Sequence, residues 1–274
     1  LYVFDTKPAT PAIKTIALST GVTLEYAEQG ATDGIPVLLL HGYTDSWHSY
    51  EAILPHLPEN LHVYAISQRG HGNSSKPLTG YHPTDFANDI AAFIIQQGLQ
   101  NAVIVGHSMG SSIVQSFAVT YPHLSKAIVL AGSFASYDKP AIAEFKTVID
   151  ALSDPVDSAF AAAFQHGTAV RPVPETMMKK FVDETTKVPA YVWKGVAAGW
   201  SSSSFLPLLQ NYHKPVLIIW GDKDNFCSAE DQQLIKQALK KSTLLIYKET
   251  GHALHWEEPE RFAQDLVEFV NGLR

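Results

Sequence analysis

Val103-Ile104-Val105-Gly106-His107-Ser108-Met109-Gly110-Ser111-Ser112 decides how the rest of this 274-residue chain is read. A β-branched run ends in Gly-x-Ser-x-Gly and passes into Ile113, Val114, Phe117, Ala118 and Tyr121, whose steps of one, three and four residues mark one face of a helix. Strand, sharp turn and helix are therefore expected in that order. A serine at the apex of so tight a turn is pushed toward unfavourable φ/ψ, and glycines two positions to either side let the crossing backbones pass. Such a serine stands exposed at a strand end, above the positive end of the following helix, where negative charge is stabilised. The plainer alternative, a Gly-rich loop before a helix, stays open on the motif alone; the flanking strand and helix favour a nucleophile.

Working outward, Ile35-Pro36-Val37-Leu38-Leu39-Leu40 is apolar at successive positions, as a strand buried on both faces of a parallel sheet must be, and it ends at His41-Gly42-Tyr43. Ile13 to Ser19 and Val22 to Ala27 alternate around Thr20-Gly21 and predict a hairpin, preceded by a Thr/Pro-rich surface arm over residues 1–12. A helix from near Ser46 to Leu57, a strand His62 to Ile66, a helix from about Thr84 to Leu99 and a strand Ala127 to Leu130 continue the alternation. Strand and helix in turn imply a parallel sheet covered by helices on both faces. Between about Phe134 and Tyr212 the rhythm breaks. Helical patterns at Ile142 to Leu152, Ser158 to Phe164, Pro174 to Phe181 and Tyr191 to Ala197, then the Ser201 to Ser204 run, contain nothing suited to burial on both faces. Residues 134–212 are therefore expected to form a helical cap across the sheet's carboxyl edge, inserted between core segments 1–133 and 213–274. Strand Pro215 to Trp220, helix Ala229 to Lys240, strand Thr243 to Tyr247 and helix Pro259 to Leu273 close the chain.

Hydrophobic residues make up 46% and charged ones 17%, the latter below the roughly 25% of an average globular protein, which argues for a large interior. A formal charge of −7 disfavours nucleic acid or an anionic membrane as partner, and no apolar run approaches the ~20 residues of a membrane span. The lone Cys227 excludes an internal disulfide and leaves the compartment open. The beginning, Leu1-Tyr2-Val3-Phe4-Asp5-Thr6-Lys7-Pro8, has neither an initiator Met nor the layout of a signal peptide, as in a trimmed or mature form. A soluble cytoplasmic protein is the favoured expectation, with a secreted mature form left open.

A serine hydroxyl is a weak nucleophile and needs a base and a group to orient that base. Two later strand ends supply both: Gly221-Asp222-Lys223-Asp224-Asn225-Phe226 and Glu249-Thr250-Gly251-His252-Ala253-Leu254-His255. Sites in open α/β sheets gather at such carboxyl ends, and the chain order serine, acid, histidine suits a nucleophilic triad.

With these pieces in place the chain resembles the α/β-hydrolases over nearly its whole length, through His41-Gly42, Arg69-Gly70-His71-Gly72-Asn73-Ser74, Gly106-His107-Ser108-Met109-Gly110, Gly221-Asp222-Lys223-Asp224, and Gly251-His252 followed by Glu257 and Pro259. The resemblance implies an α/β-hydrolase fold, a mostly parallel central sheet flanked by helices with an inserted cap. It makes Ser108 the nucleophile and His252 the base. The family's Gly-x-x-Asp before a hydrophobic residue selects Asp224 as the acid and leaves Asp222 as a turn former. The backbone amides of Tyr43 and Met109 would bind the oxyanion, and His41 would anchor its loop at the pocket's edge. Two departures stand out: Ser67 where an Asp is usual, and Ser111 where a Gly is frequent. Cys227 is expected to be a small buried apolar residue and His255 a packing or surface residue. Twelve histidines include no zinc-like spacing, so neither metal nor cofactor is expected.

Resemblance and residues together imply cofactor-free covalent hydrolysis. The aromatic-rich cap, with Tyr137, Trp193 and Trp200 besides His41 as pocket candidates, favours a small hydrophobic ester or lactone. The same triad serves carbon–carbon bond hydrolases and cofactor-free peroxidases, and a ligand-binding receptor with little turnover is the rival of another class. Ser108 argues against dehalogenase and epoxide hydrolase chemistry, which uses a carboxylate nucleophile. The compound and the oligomeric state stay open.

Overall fold

The apolar runs become strands whose successive side chains divide between two cores. In this computed structural model, which describes residues 10–273, eight strands form one sheet: β1 (Ala12–Ala17), β2 (Thr23–Gln29), β3 (Ile35–Leu40), β4 (Leu61–Ile66), β5 (Ala102–His107), β6 (Ser125–Ala131), β7 (Val216–Gly221) and β8 (Ser242–Tyr247). Their spatial order is β1-β2-β4-β3-β5-β6-β7-β8, with β1–β2 and β2–β4 antiparallel and every later pairing parallel. The first nine residues of the expected arm lie outside the described residues. Gly21, at φ +85°, turns the β1–β2 hairpin.

Leu38, Leu40, Ile104, Ile128 and Ile218 pack on one face with helices α1 (Pro83–Gln96) and α2 (Met109–Thr120). Val37, Leu39, Val105, Val129 and Ile219 pack on the other, against Phe262, Leu266 and Val270 of the closing helix. This division accounts for the unbroken apolar runs: both faces of the central strands are interior.

One expected helix differs. Residues 46–57 form two short 3₁₀ turns, Trp47–Tyr50 and Leu54–His56, in place of a continuous α-helix. Ser46 does cap, its hydroxyl accepting the His48 N–H at 3.3 Å. Pro55, however, offers no N–H, so a continuous α-helix would leave Glu51 O without its bond. Burial of Trp47, Tyr50, Ile53 and Leu54 in the core then decides the path.

Between β6 and β7 run α3 (Pro140–Asp150), α4 (Ser158–His166), α5 (Glu175–Thr186), α6 (Ala190–Ser201) and α7 (Leu206–Leu209), and no strand among the described residues. Helix α4 packs on α5 and α3 on α6, whereas α7 packs on α2 and on α8 (Ala229–Ala238), in the layer that covers the sheet. Tyr212 then reaches the start of β6, where its hydroxyl lies 2.9 Å from Ser125 Oγ. The return path thus ends at the sheet's amino end, as a strand parallel to β6 requires. Helices α9 (Leu254–Glu257) and α10 (Pro259–Asn271) finish the chain. No described helix is long and apolar enough to cross a membrane.

The tightest crossing lies beneath Ser108. A Cβ on Gly106 would sit 2.2 Å from Gly110 O, and one on Gly110 2.2 Å from Leu40 O, both immovable backbone. Gly98 has open space around it and only a positive φ to satisfy. Gly110→Ala is therefore expected to cost about 3 kcal/mol, against about 1 for Gly98→Ala. Thermal unfolding of the two variants side by side checks the ranking; an equal loss would remove the crossing as the constraint.

Candidate active site

Ser108 sits between β5 and α2 at φ +52°, ψ −113°, a conformation that costs a non-glycine residue about 1–3 kcal/mol. Bonds on both sides hold it there. Ser108 N–H donates to Ala131 O at 2.9 Å, and Ser108 O accepts the Ser111 N–H at 2.9 Å and the Ser111 hydroxyl at 2.6 Å. Ser111 at this position thus strengthens the turn through its side chain.

Met109 opens α2, so its N–H is one of the amides no helix bond can use. Among the described residues neither this N–H nor that of Tyr43 has a hydrogen-bond acceptor. Tyr43 belongs to the loop after β3, and the next residue, Thr44, lies at φ +66°, unusual for a β-branched side chain. The Tyr43 hydroxyl ties this loop down by donating to Trp193 O at 2.6 Å.

Asp224 Oδ2 lies 2.8 Å from His252 Nδ1. Its other oxygen accepts the amides of Phe226 at 2.8 Å and Cys227 at 2.9 Å. Burial pushes this carboxyl's pKa up, but the charge of His252 and these hydrogen bonds outweigh it and leave the acid below its ordinary value. Asp222 faces elsewhere, accepting the Glu249 N–H at 2.7 Å in a turn. Ser108 and His252 border one cavity of about 210 Å³. Among the described residues no hydrogen bond joins Ser108 Oγ to His252; such contacts commonly tighten on binding substrate.

Apolar walls dominate that cavity: Phe134, Tyr137, Phe145, Phe164, Trp200 and Phe226 line it. Of the four pocket candidates, Tyr137 and Trp200 are there, with rings stacked at 5.4 Å. Two others are corrected. Trp193 is wholly buried behind Tyr43, ring to ring at 4.9 Å, because its helix turns that side chain inward. His41 is also wholly buried; its Nε2 accepts the Gln68 N–H at 3.0 Å, and Nδ1–H donates to Gly42 O at 2.8 Å, so it anchors the loop from below without bordering the cavity.

Residues 35–259 match a family model described as the alpha/beta hydrolase fold. The chain belongs to that family. It is 26% identical to Lipase 3 of Moraxella sp. across 96% of this chain and 85% of that protein, and 24% identical to the 2-(acetamidomethylene)succinate hydrolase of Mesorhizobium japonicum across 92% of each. In fold it matches an esterase from Exiguobacterium antarcticum with a TM-score of 0.86, at 22% identity, over 94% of this chain and 99% of that one.

Several residues of this alpha/beta hydrolase escape a linear reading. His107, inside the serine motif, donates Nε2–H to His252 O at 2.8 Å and so fixes the backbone of the histidine loop. Burial, then the neighbouring His252, pushes its pKa down to about 3, which keeps it neutral. His255, expected to be a packing or surface residue, packs: it is wholly buried, 2.9 Å from Ser49 Oγ and against His107. Cys227 is buried as expected of an apolar residue, yet its thiol donates to Gly132 O at 3.2 Å. Asp224, Cys227 and His252 bring potential ligand atoms within 4.8 Å of one another, each already engaged in a hydrogen bond.

Asp45 is an unforeseen carboxyl on the cavity wall. It accepts Gln165 Nε2–H at 2.8 Å and the Ser49 hydroxyl at 3.2 Å. Burial pushes its pKa up to about 7, against the opposing pull of those bonds and of His252. Because the folded state then holds this proton more tightly than the unfolded chain, the carboxyl's contribution to stability is present below about pH 4 and lost as pH rises through about 7. Asp45→Asn keeps the shape and cannot ionise. Its melting temperature relative to wild type is expected to climb by roughly 5 °C between pH 5 and pH 8. Parallel curves across that range would remove the buried ionisation.

Proposed function

We propose that this alpha/beta hydrolase is a serine hydrolase that cleaves hydrophobic carboxylic esters or lactones through an acyl-enzyme. The observation that carries the reading is the convergence of a strained Ser108 and an Asp224-paired His252 on one aromatic cavity. His252 Nε2 takes the proton as Ser108 Oγ attacks the carbonyl, and the tetrahedral oxyanion forms against the free amides of Tyr43 and Met109. Asp224 keeps the proton of the imidazole on Nδ1 and stabilises the cation. His252 then returns its proton to the leaving alcohol. Water, deprotonated by the same nitrogen, then attacks the acyl carbon; the bond to Ser108 Oγ breaks as His252 gives that oxygen its proton, and the acid is released. Each oxyanion donor is worth about 3 kcal/mol of barrier.

Helices α3, α4 and α6 act in this reading as a lid, since Phe145, Phe164 and Trp200 wall the cavity above the serine. Such walls exclude water and bury acyl substituents, which sets preference through transition-state binding. The fold also hosts carbon–carbon bond hydrolases and cofactor-free peroxidases, so β-diketones and a peroxidase assay belong beside esters and lactones in the substrate panel. A receptor role predicts binding without release of either product.

An organophosphonate is expected to label Ser108, read by mass spectrometry, and Ser108→Ala to abolish ester cleavage; an adduct elsewhere would sink the assignment. Asp224→Asn should lower kcat on the order of 10⁴-fold by leaving the wrong imidazole tautomer. Asp222→Asn should barely change it, and an equal loss at Asp222 would reverse the choice of acid. Trp200→Ala is expected to shift selectivity among acyl chain lengths by roughly tenfold, about 1.4 kcal/mol. Trp193→Ala should instead lower the melting temperature, since that ring is lid interior.

A further inference from the structure

The cavity wall changes character at one corner. Asp45 from the loop after β3 meets Gln165 and Thr168 from the end of α4 and the residues just past it, and all three side chains are more than nine-tenths buried. The hydrogens of Gln165 are spent: Nε2 donates to Asp45 Oδ1 at 2.8 Å and to Thr185 Oγ1 at 2.6 Å. While Asp45 is ionised, which is above about pH 7, its carboxylate fixes the orientation of the amide, because the reverse arrangement would set Oε1 against a carboxylate oxygen. Oε1 itself has no partner among the described residues, and Gln165 borders the cavity. Thr168 turns its hydroxyl hydrogen away, donating to Gln165 O at 2.7 Å. A pocket walled mostly by aromatic side chains therefore offers an unpaired acceptor at this corner.

We propose that this corner selects a substrate carrying a hydroxyl group remote from the scissile ester, with Gln165 Oε1 accepting its hydrogen. The inference rests on the hydrolase reading of the Ser108 site and narrows its substrate class. A purely alkyl group filling the corner strips water from a buried amide oxygen and returns no hydrogen bond, a penalty that a hydroxyl avoids. A carboxylate-bearing substrate is disfavoured, since no Lys or Arg stands among the described lining residues and the corner presents oxygen acceptors. An ammonium group is disfavoured because it gives up far more hydration than a hydroxyl on entering this mostly aromatic cavity. Asp45 acts here as a positioning residue, holding the amide of Gln165 in its acceptor-outward pose.

The test compares esters of equal length that end in hydroxyl, methyl or ammonium, in two series: p-nitrophenyl ω-substituted alkanoates and ω-substituted alkyl acetates. The wild-type kcat/KM is expected to favour hydroxyl over methyl by about tenfold at one chain length of one series, and Gln165→Met to bring that ratio near one. Methyl or ammonium preferred throughout, or a hydroxyl preference that survives Gln165→Met, overturns the proposal. A second measurement is independent of turnover and of how the variant folds: calorimetric binding of ω-hydroxyalkyl methyl ketones and their alkyl counterparts to Ser108→Ala. If no ester is cleaved but the hydroxy ketone binds about tenfold tighter, the hydrolase reading fails and the corner stands. Ester cleavage with no preference in either assay sinks the corner alone.

Discussion

The passage of α2 over the end of β3 is the constraint from which the rest of the site follows. Gly110 lies so close to Leu40 O, and Gly106 to Gly110 O, that no side chain fits at either position. Only with that contact can the chain reverse within Gly106 to Gly110 and lift Ser108 onto the carboxyl end of the sheet. The strain at Ser108, about 1–3 kcal/mol, is offset locally by the bonds to Ala131 and Ser111 and globally by two cores that fix β5 on both faces. Helix α2 consequently begins at Met109, one residue past the serine, and its first amide is left free for the role proposed for it.

Loops from separate strands are tied to this point by single hydrogen bonds. His107 holds the His252 loop through its carbonyl, Tyr43 holds the β3 loop to α6, and Cys227 reaches Gly132 beneath the histidine ring. His107 can serve only with a proton on Nε2, and because burial keeps the ring neutral this bond requires the Nε2–H tautomer. Rigid placement of this kind is what proximity catalysis asks of a scaffold, because a 1 Å error at the reacting atoms is expensive.

How much of this was legible in the chain depends on the range of the interaction. The central strands declared themselves because burial on both faces leaves no polar position, and the serine turn because glycine spacing is a local steric demand. The pairing of Asp224 with His252 followed a spacing learned from relatives, while geometry supplies the reason: Asp222 is spent on the Glu249 amide. Long-range choices were not legible. Tyr137, Trp193 and Trp200 look alike as lid aromatics, and only the rotation of α6 turns Trp193 into its own interior. The 46–57 segment carried a helix cap but also Pro55, and burial of Tyr50 and Leu54 favoured 3₁₀ turns. The insertion's path was half visible: its helices were, but not that α7 rejoins the sheet layer on the way to Tyr212.

Gln165 left a faint signal that a pattern reading passes over. It stands four residues after Ala161 in Ser158–His166, so both lie on the same helix face, and that face is buried. An amide on the interior face of a short helix needs partners, and with no polar neighbour on its own helix it must find them across the fold. It finds Asp45, 120 residues earlier, and Thr185 on α5. Thr185 in turn approaches Thr44, the strained residue beside Tyr43, at 3.3 Å between hydroxyls. One side chain thereby couples helices α4 and α5 to the loop that carries a candidate oxyanion amide. In the proposed reaction the position of α4 and the geometry at the Tyr43 amide are consequently not independent: a shift of α4 must lengthen the bond to Asp45 or carry the Tyr43 loop with it.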